Sequence, residues 1–495
     1  MFNKKSLIFG LALTIGFFAV FFLRIFPYFV SDPIPLGYDP GLYKTVFEGF
    51  RNNLPFINVN NLDSWSRTNP IGLFLLTNIL YFFSYTTEFL LTYFFAFLSA
   101  VIGIFIYLLV SQRFQKHKWL SFFASFVFFF ISITQYHTFY MNYYKNVLGI
   151  ILMLTAFILL KKKSRLSVLP LGFLIAVHRP TAIFTAGVLL IYILKDLIPI
   201  IWKNLKEKKK NNAVIRFIKN SLDIKVGLLA IVIGLPLYIY NFHESLLNMI
   251  QPVSESFGLE GGSGSFFSIL EYLYYSLWFW PFAIYALITS IKKKTFSYIE
   301  IGFVFGVLWV FFHMFFYNRM IIQLDIFLIM MAVIGAVRLF TRIKKPYLKI
   351  FTPFAVLFFV LIGLHTFYYV HVNAKPLLEP FEFRFIQTIP EITEENSIII
   401  STHKYYSPWL MGYSGYDVLA PGLFDLNRWS KEIWEEFWNG DGEIKASMLK
   451  EYNDLKSPLY IYEGINQPHY SFDNSDCFEY IRRGQYNLIK YLCRD

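Results

Sequence analysis

Apolar residues in this chain occur in long blocks that are separated by short polar segments, many of them basic. A helix of about 20 apolar residues spans a bilayer, and the usual range is about 17–25 residues. The blocks therefore predict a polytopic α-helical membrane protein with about eleven transmembrane helices. The predicted spans are Leu7–Phe26, Phe89–Val110, Leu120–Thr134, Val147–Leu160, Leu166–Val177, Ala182–Ile201, Val226–Tyr240, Ile269–Ile291, Ile299–Phe316, Ile321–Leu339 and Ile350–Val370.

Basic residues between these blocks predict the orientation, because cytoplasmic loops are enriched in Lys and Arg. Lys4 and Lys5 precede the first block, which we interpret as a retained signal anchor with a cytoplasmic N-terminus. The stretch Ile71–Phe83 is short for a span and predicts an interfacial helix, so Pro27–Glu88 forms one long external loop. The strongly basic loops then all fall on the cytoplasmic side: Gln112–Lys118, Lys161–Arg165, Lys203–Asn212, Lys292–Lys294, and the group Arg342, Lys344 and Lys345.

Charged residues and turn signals return after about His371, which predicts a small extracytoplasmic α/β domain over residues 371–495, behind a membrane domain over residues 1–370. Ser397–Thr402, Pro458–Glu463 and Tyr486–Cys493 are typical of strands. Asn427–Trp438 has helical spacing, with Trp429, Ile433 and Phe437 on one stripe. The two cysteines, Cys477 and Cys493, both lie in this domain, and the sequence leaves open whether they form a disulfide.

Composition supports a cell-membrane protein and changes the meaning of the positive charge. The chain is 56% hydrophobic and 16% charged, with a formal net charge of +12. In a soluble protein this charge would suggest nucleic-acid binding, but here Lys and Arg cluster in short loops, where topology explains them. Nucleic acid is therefore not an expected partner, whereas membrane lipids are.

One acidic position stands where the chain leaves its first span, in the segment PLGYDPGLYKTVFEGF, from Pro35 to Phe50. Asp39 followed by Pro40 predicts a helix start, with Asp as the N-cap and Pro at the first helical position. Leu42, Val46, Phe47 and Phe50 then share one face, and Lys44, Thr45, Glu48 and Arg51 share the other. This pattern predicts an amphipathic helix at the membrane surface.

The arrangement of spans, acid and motifs resembles the GT-C glycosyltransferases, in the branch of the protein mannosyltransferases and the aminoarabinose transferases. In that family the first external loop opens with acids followed by an aromatic residue, which Asp39 and Tyr43 match. TNPIGLFLL (Thr68–Leu76) is similar to the family's proline motif before a second interfacial helix. LGFLIAVHRPTAIF (Leu171–Phe184) and YNRM (Tyr317–Met320) resemble segments near the family's site.

The resemblance implies a sugar donor linked to polyprenyl phosphate and an acceptor that is a lipid, a glycan or a protein. This chain differs from many members of the family. Pro40 follows Asp39 where those members have a second acid, and the nearest other acid is Asp32. The loop Gln135–Asn146 has no acid, which argues against an oligosaccharyltransferase whose metal is held by both loops. No cofactor is required by the pattern, and the need for a divalent cation is left open.

Glycosyl transfer from a sugar phosphate needs a base for the acceptor hydroxyl and cations for the leaving phosphate. Asp39 is the candidate base and Asp32 a second candidate acid; their alternative roles are a helix cap and a turn. The candidate substrate-binding residues are Arg179, His178, Arg319, Tyr43 and Lys145. Arg179 is the first choice for the phosphate, because a charge at a span junction is costly, although snorkelling to head groups also explains it.

Two other functions share part of this pattern. A transporter or flippase for lipid-linked saccharides would have similar spans and cations, but it would not need Asp39 and would favour two similar halves, which the sequence lacks. A ligase or polymerase of surface polysaccharide would place its long external loop late in the chain, whereas here the long external segments are the first loop and the C-terminal domain. The sequence therefore favours the transferase, with these two as alternatives.

Overall fold

The apolar blocks fold as helices in the computed structural model, which describes the chain except for residues 1–3, 31–32, 53–70, 207–211, 235, 237–265, 344, 404, 422–423, 425, 467 and 494–495. Described helices, in chain order, are α1 (Lys4–Val30), α2 (Pro40–Asn52), α3 (Gly72–Phe82), α4 (Thr87–Ser111), α5 (Lys118–Phe130), α6 (Ile133–Tyr140), α7 (Tyr144–Lys161), α8 (Val168–Val177), α9 (Arg179–Lys206), α10 (Asn212–Asn220), α11 (Leu222–Gly234), α12 (Ile269–Ser276), α13 (Trp280–Lys292), α14 (Tyr298–Phe311), α15 (Tyr317–Arg342), α16 (Lys345–Asn373), α17 (Pro380–Ile392), α18 (Ser407–Ser414), α19 (Lys431–Asn439) and α20 (Gly442–Leu449).

Six of these helices are long and apolar enough to cross a membrane, within the part of the chain that is described. A seventh is obtained if Gln115–Phe130 and Ile133–Tyr140, which meet at 54°, form one bent span. Shorter apolar helices, Arg165–Val177 and Tyr298–Phe311, coincide with two further predicted spans. The prediction of a polytopic helical membrane protein is thus confirmed, while the count of eleven stays a prediction.

The described residues group into two compact units, which we call the helical unit and the α/β unit. Residues of the helical unit come from Met1–Pro27, Arg67–Leu80 and Tyr93–Ala374. Residues of the α/β unit come from Tyr28–Ser66, Tyr81–Thr92 and Lys375–Asp495. The part of the first loop that contains α2 therefore groups with the C-terminal region, whereas Arg67–Leu80 groups with the helical unit.

In the helical unit α15 is the central helix, since every residue from Met320 to Val337 is buried. α13 and α14 pack along it. Its interior is almost entirely aliphatic, but it carries Gln323 and Asp325, both buried. Polar side chains inside an apolar span are rare and usually have a specific partner.

An ion pair joins the first predicted cytoplasmic loop to α14. Arg113 bridges the carboxylate of Glu300 through both terminal nitrogens, and its Nη2 donates to Glu300 Oε2 at 2.6 Å. Glu300 is fully buried and also accepts from Ser290 Oγ at 2.8 Å and from the backbone N–H of Ser297 at 3.0 Å. The basic loop thus has a specific structural partner in addition to its effect on topology.

Replacement of Arg113 by methionine should leave a buried carboxylate without its cation and destabilise the helical unit by about 3–5 kcal/mol. Thermal unfolding in detergent measures this loss. The double change Arg113→Met with Glu300→Gln should recover part of it, because the uncompensated charge is removed. Equal stability of Arg113→Met and the wild type would contradict the role of the pair.

The α/β unit is built on a five-stranded sheet of order β2-β1-β3-β5-β4. Its strands are β1 (Ile398–Ser401), β2 (Asp417–Leu419), β3 (Leu459–Glu463), β4 (Phe478–Arg482) and β5 (Asn487–Tyr491). β1 pairs in parallel with β2 and β3, whereas β5 is antiparallel to both β3 and β4. Helix α18 connects β1 to β2, and α19 and α20 lie between β2 and β3, as parallel crossovers require.

Alternating strand residues fill a core on each face of the sheet. Ile399, Tyr460 and Leu488 pack with α17 and α18, in a cluster that also takes in Ile34 from the first loop. Ile398, Ile400 and Ile461 pack on the other face, with Trp434 and Phe437 of α19. The three predicted strands are found, while β2 and β4 were not predicted. The predicted helix over Asn427–Trp438 begins only at Lys431, because Ser430 caps it, so Trp429 precedes the helix. Cys477 and Cys493 form a disulfide, which answers the question left open by the sequence.

Candidate active site

Helix α2 of the α/β unit begins where the Asp39-Pro40 pair predicts. The carbonyl of Asp39 accepts from the N–H of Tyr43 at 3.0 Å, which is the first intrahelical bond expected at an N-cap residue. Asp39 is half-buried and Tyr43 is buried. Burial, followed by the negative charge of Asp39, raises the pKa of the neighbouring Tyr38 hydroxyl. Asp39 is therefore held at the N-terminus of a helix and is partly shielded from water.

The apolar face of α2 is buried by protein within the α/β unit. Val46, Phe47 and Phe50 are each nearly inaccessible, and α2 packs against α18. The two helices cross at a pair of glycines, since a Cβ on Gly412 would lie 2.3 Å from the carbonyl oxygen of Gly41. The amphipathic pattern that we interpreted as a membrane-surface helix is thus satisfied by contacts with the C-terminal region.

The polar face of α2 carries an ion cluster. Lys44 lies within bridging distance of Glu48 and, at 3.4 Å, of Glu88. Its ammonium also lies 5.4 Å from the ring centre of Tyr413 on α18, a cation–π distance. Glu48 accepts in addition from Thr87 Oγ1 at 3.0 Å. These contacts join α2 to the start of α4 and to α18, so Lys44 has a structural role.

The helical unit gathers the other candidates around His178, which lies between α8 and α9. Burial first, and then the positive charges of Lys145, Arg319 and Arg179, lower the pKa of the His178 imidazole well below its usual value. Each of the three cations therefore lies near enough to His178 to act on its charge. The sequence places them far apart, from position 145 to position 319.

Hydrogen bonds fix the tautomer of His178. Its Nδ1 accepts from the backbone N–H of Thr181 at 3.3 Å and lies 2.7 Å from the Thr181 hydroxyl. Gln323 Nε2 of α15 donates to the same hydroxyl at 2.8 Å, so the hydroxyl in turn donates to Nδ1. A neutral imidazole with Nδ1 as acceptor carries its proton on Nε2. His178 can thus donate a hydrogen bond from Nε2 without adding a charge.

Three helices begin at this cluster. Lys145 lies in the first turn of α7, Arg179 is the first residue of α9, and Arg319 lies in the first turn of α15. The guanidinium of Arg319 also lies 5.2 Å from the ring centre of Tyr143, just before α7. Helix N-termini carry partial positive charge and exposed N–H groups, so they favour anions. Three cations at three helix starts form a strongly anion-attracting arrangement.

Two buried polar groups of the helical unit were not predicted as functional. Asp325 Oδ2 accepts from Ser132 Oγ at 2.8 Å and from Gln135 Nε2 at 3.0 Å, which fixes the bend between α5 and α6. Arg24 of α1 donates from Nε to Ser99 Oγ at 2.6 Å, and its guanidinium lies 4.9 Å from the ring centre of Phe129. A charged residue inside an apolar block is the signal that would have identified both.

Asp32 lies outside the described residues. Among the residues that are described, no group of three or more His, Cys, Asp or Glu side chains lies close enough together to hold a metal ion.

Comparison with known proteins identifies the fold. No family model matches the chain, and no curated protein matches its sequence. Similar solved structures include an oligosaccharyltransferase, AglB, from Archaeoglobus fulgidus in complex with an inhibitory peptide and a dolichol-phosphate, at TM-score 0.51 and 14% identity over 94% of this chain and 70% of that chain. A second Archaeoglobus fulgidus oligosaccharyltransferase structure, with Zn and sulfate, matches at TM-score 0.57 and 13% identity over 92% and 68%.

ArnT from Cupriavidus metallidurans in the apo state matches at TM-score 0.55 and 10% identity over 99% of both chains. At such identities the likeness shows a shared fold. The fold that the sequence resemblance implies is therefore the fold that this chain shares with these solved structures.

Proposed function

We propose, from this GT-C fold, that the protein is a membrane glycosyltransferase that moves a sugar from a polyprenyl-phosphate donor to an acceptor hydroxyl on the external face of the membrane. The observation that carries the proposal is the meeting of Lys145, Arg179 and Arg319 at three helix N-termini around His178. Positive side chains and helix N-termini both favour the binding of an anion near them. A sugar phosphodiester supplies such an anion.

Each candidate residue has a role in the proposed transfer reaction. Asp39 accepts the proton of the acceptor hydroxyl as that oxygen attacks the anomeric carbon of the donor. Arg179 and Arg319 bind the phosphate and stabilise the negative charge that it gains as the glycosidic bond breaks. His178 donates from Nε2 to a phosphate or sugar oxygen, and Lys145 adds charge. Tyr43, one turn after Asp39, packs beside Phe47 and orients the start of α2.

A lipid donor follows from the predicted sidedness. All three cations lie at helix ends opposite the basic loops, and those loops are predicted to be cytoplasmic. Nucleotide sugars carry several charges and do not cross a bilayer unaided. A polyprenyl phosphate keeps its phosphodiester at head-group depth on the external side, and one phosphodiester carries about one negative charge, which one or two arginines match.

Transfer by the purified protein in liposomes, with labelled polyprenyl-phosphate sugars and labelled nucleotide sugars in parallel, tests this proposal. Arg319→Gln should lower transfer from the lipid donor by about 10- to 100-fold, as expected for the loss of a charge-assisted hydrogen bond. Arg342→Gln is the matched control, because Arg342 lies in the last turn of the same helix. Transfer from a nucleotide sugar without any polyprenyl phosphate would refute the donor assignment.

A further inference from the structure

A cavity of the helical unit lies at the opposite end of α9 from Arg179. It has a volume of about 720 Å³ and is lined by the last four turns of α9, by α10 and by the start of α11. This volume is within the range of ligand sites, which is about 300–1,000 Å³. The sequence predicts that the basic segment Lys203–Asn212 is cytoplasmic, which places this end of α9 on the cytoplasmic side.

Both signs of charge line this cavity. Lys203 of α9 and Arg216 of α10 supply two cations, and Asp196 and Asp223 supply two acids. Asp223 accepts a hydrogen bond from the Tyr298 hydroxyl at 2.6 Å. The side chain of Asp196 is about half exposed, and its Oδ1 lies 3.5 Å from Lys195 Nζ. A ligand that carries both an anionic and a cationic group would complement this lining better than a simple anion would.

An apolar groove continues from the cavity. The groove has a volume of about 430 Å³, lies among α8, α9 and α11, and is lined almost wholly by Leu, Ile and Ala. It shares Ile193 and Asp223 with the polar cavity. Its α9 residues extend from Ala182 to Leu197, so it follows that helix for about 22 Å at 1.5 Å per residue. A polar cavity joined to a long apolar groove has the chemistry of a lipid site.

We propose that this cavity binds the head group of a phospholipid carrying both a phosphate and a primary ammonium, of the phosphatidylethanolamine type, with an acyl chain in the adjoining groove. Lys203 and Arg216 bind the phosphate, and Asp196 accepts from the ammonium. A quaternary ammonium has no N–H to donate, and a glycerol head group has no positive charge. The site is independent of the proposed transfer reaction, since it lies at the other end of α9.

Native mass spectrometry of the full-length protein, titrated in detergent with phosphatidylethanolamine, phosphatidylglycerol or phosphatidylcholine, tests the proposal. Phosphatidylethanolamine should bind at least about tenfold more tightly than the other two. Arg216→Ala should weaken that binding by about tenfold, whereas Lys219→Ala, on the same helix but outside the cavity lining, should not.

Asp196→Asn supplies a second readout that does not depend on the behaviour of Arg216→Ala. It should abolish the preference for phosphatidylethanolamine over phosphatidylglycerol while phosphatidylglycerol still binds. Equal binding of the three lipids by the wild type, equal effects of the Arg216 and Lys219 changes, or selective binding of a polyprenyl phosphate that excludes phosphatidylethanolamine would each overturn the assignment.

Discussion

Replacement of Asp39 by asparagine is expected to reduce the rate of sugar transfer by about 10²- to 10⁴-fold, the usual contribution of a general base. The fold should survive, because asparagine caps a helix about as well as aspartate does. The backbone bond from Tyr43 N–H to the carbonyl of residue 39 does not depend on the side chain. The change therefore separates proton transfer from helix capping.

Initial rates with a polyprenyl-phosphate sugar in liposomes, alongside thermal unfolding, measure the two effects. Asp441→Asn is the matched control, since Asp441 caps α20 in the same unit and its Oδ1 accepts from the N–H of Ile444 at 3.0 Å. That variant should fold and turn over like the wild type. Wild-type turnover by Asp39→Asn would assign Asp39 to capping alone and leave the base to be found elsewhere.

Much of the secondary structure could be predicted because it follows from local pattern. The Asp39-Pro40 pair marks the start of α2, and Ser397–Thr402 and Pro458–Glu463 contain β1 and β3. β4 was missed because it is an edge strand whose charged residues, Glu479 and Arg482, interrupt the apolar pattern. Edge strands often carry such charges, which discourage pairing with other chains.

The candidate site was only partly predictable, because its parts meet through packing. Arg179 and Arg319 stand out as cations at span junctions, yet no spacing rule brings residues 140 positions apart to one imidazole. Gln323 was overlooked because an apolar block was interpreted as a uniform span, although its bond to Thr181 fixes the orientation of His178. A hydrophobic stripe in a sequence also does not show whether lipid or protein covers it. The stripe on α2 suits a membrane surface, and protein buries it.

The crossing of α2 and α18 is expected to tolerate no side chain. Valine at position 412 would place its Cβ 2.3 Å from the carbonyl oxygen of Gly41 and 2.5 Å from the Gly41 Cα, both far inside van der Waals contact. Because the obstacle is backbone, no rotamer change relieves it, and the helices must separate. Overpacking of this kind costs about 1–3 kcal/mol and sometimes more.

Separation of the helices would move the segment that carries Asp39 from its place on the α/β unit. A displacement of about 1 Å at a reacting group lowers rates by about 10²-fold, so Gly412→Val should lose transfer activity well beyond its loss of stability. Rates at a temperature where the variant remains folded, checked by tryptophan fluorescence, separate the two losses. Gly484→Val, at a glycine of the same unit with open space around its Cβ position, should leave both unchanged. If Gly412→Val were fully active while folded, the crossing would not position the base, and α2 would depend on its ion cluster around Lys44 instead.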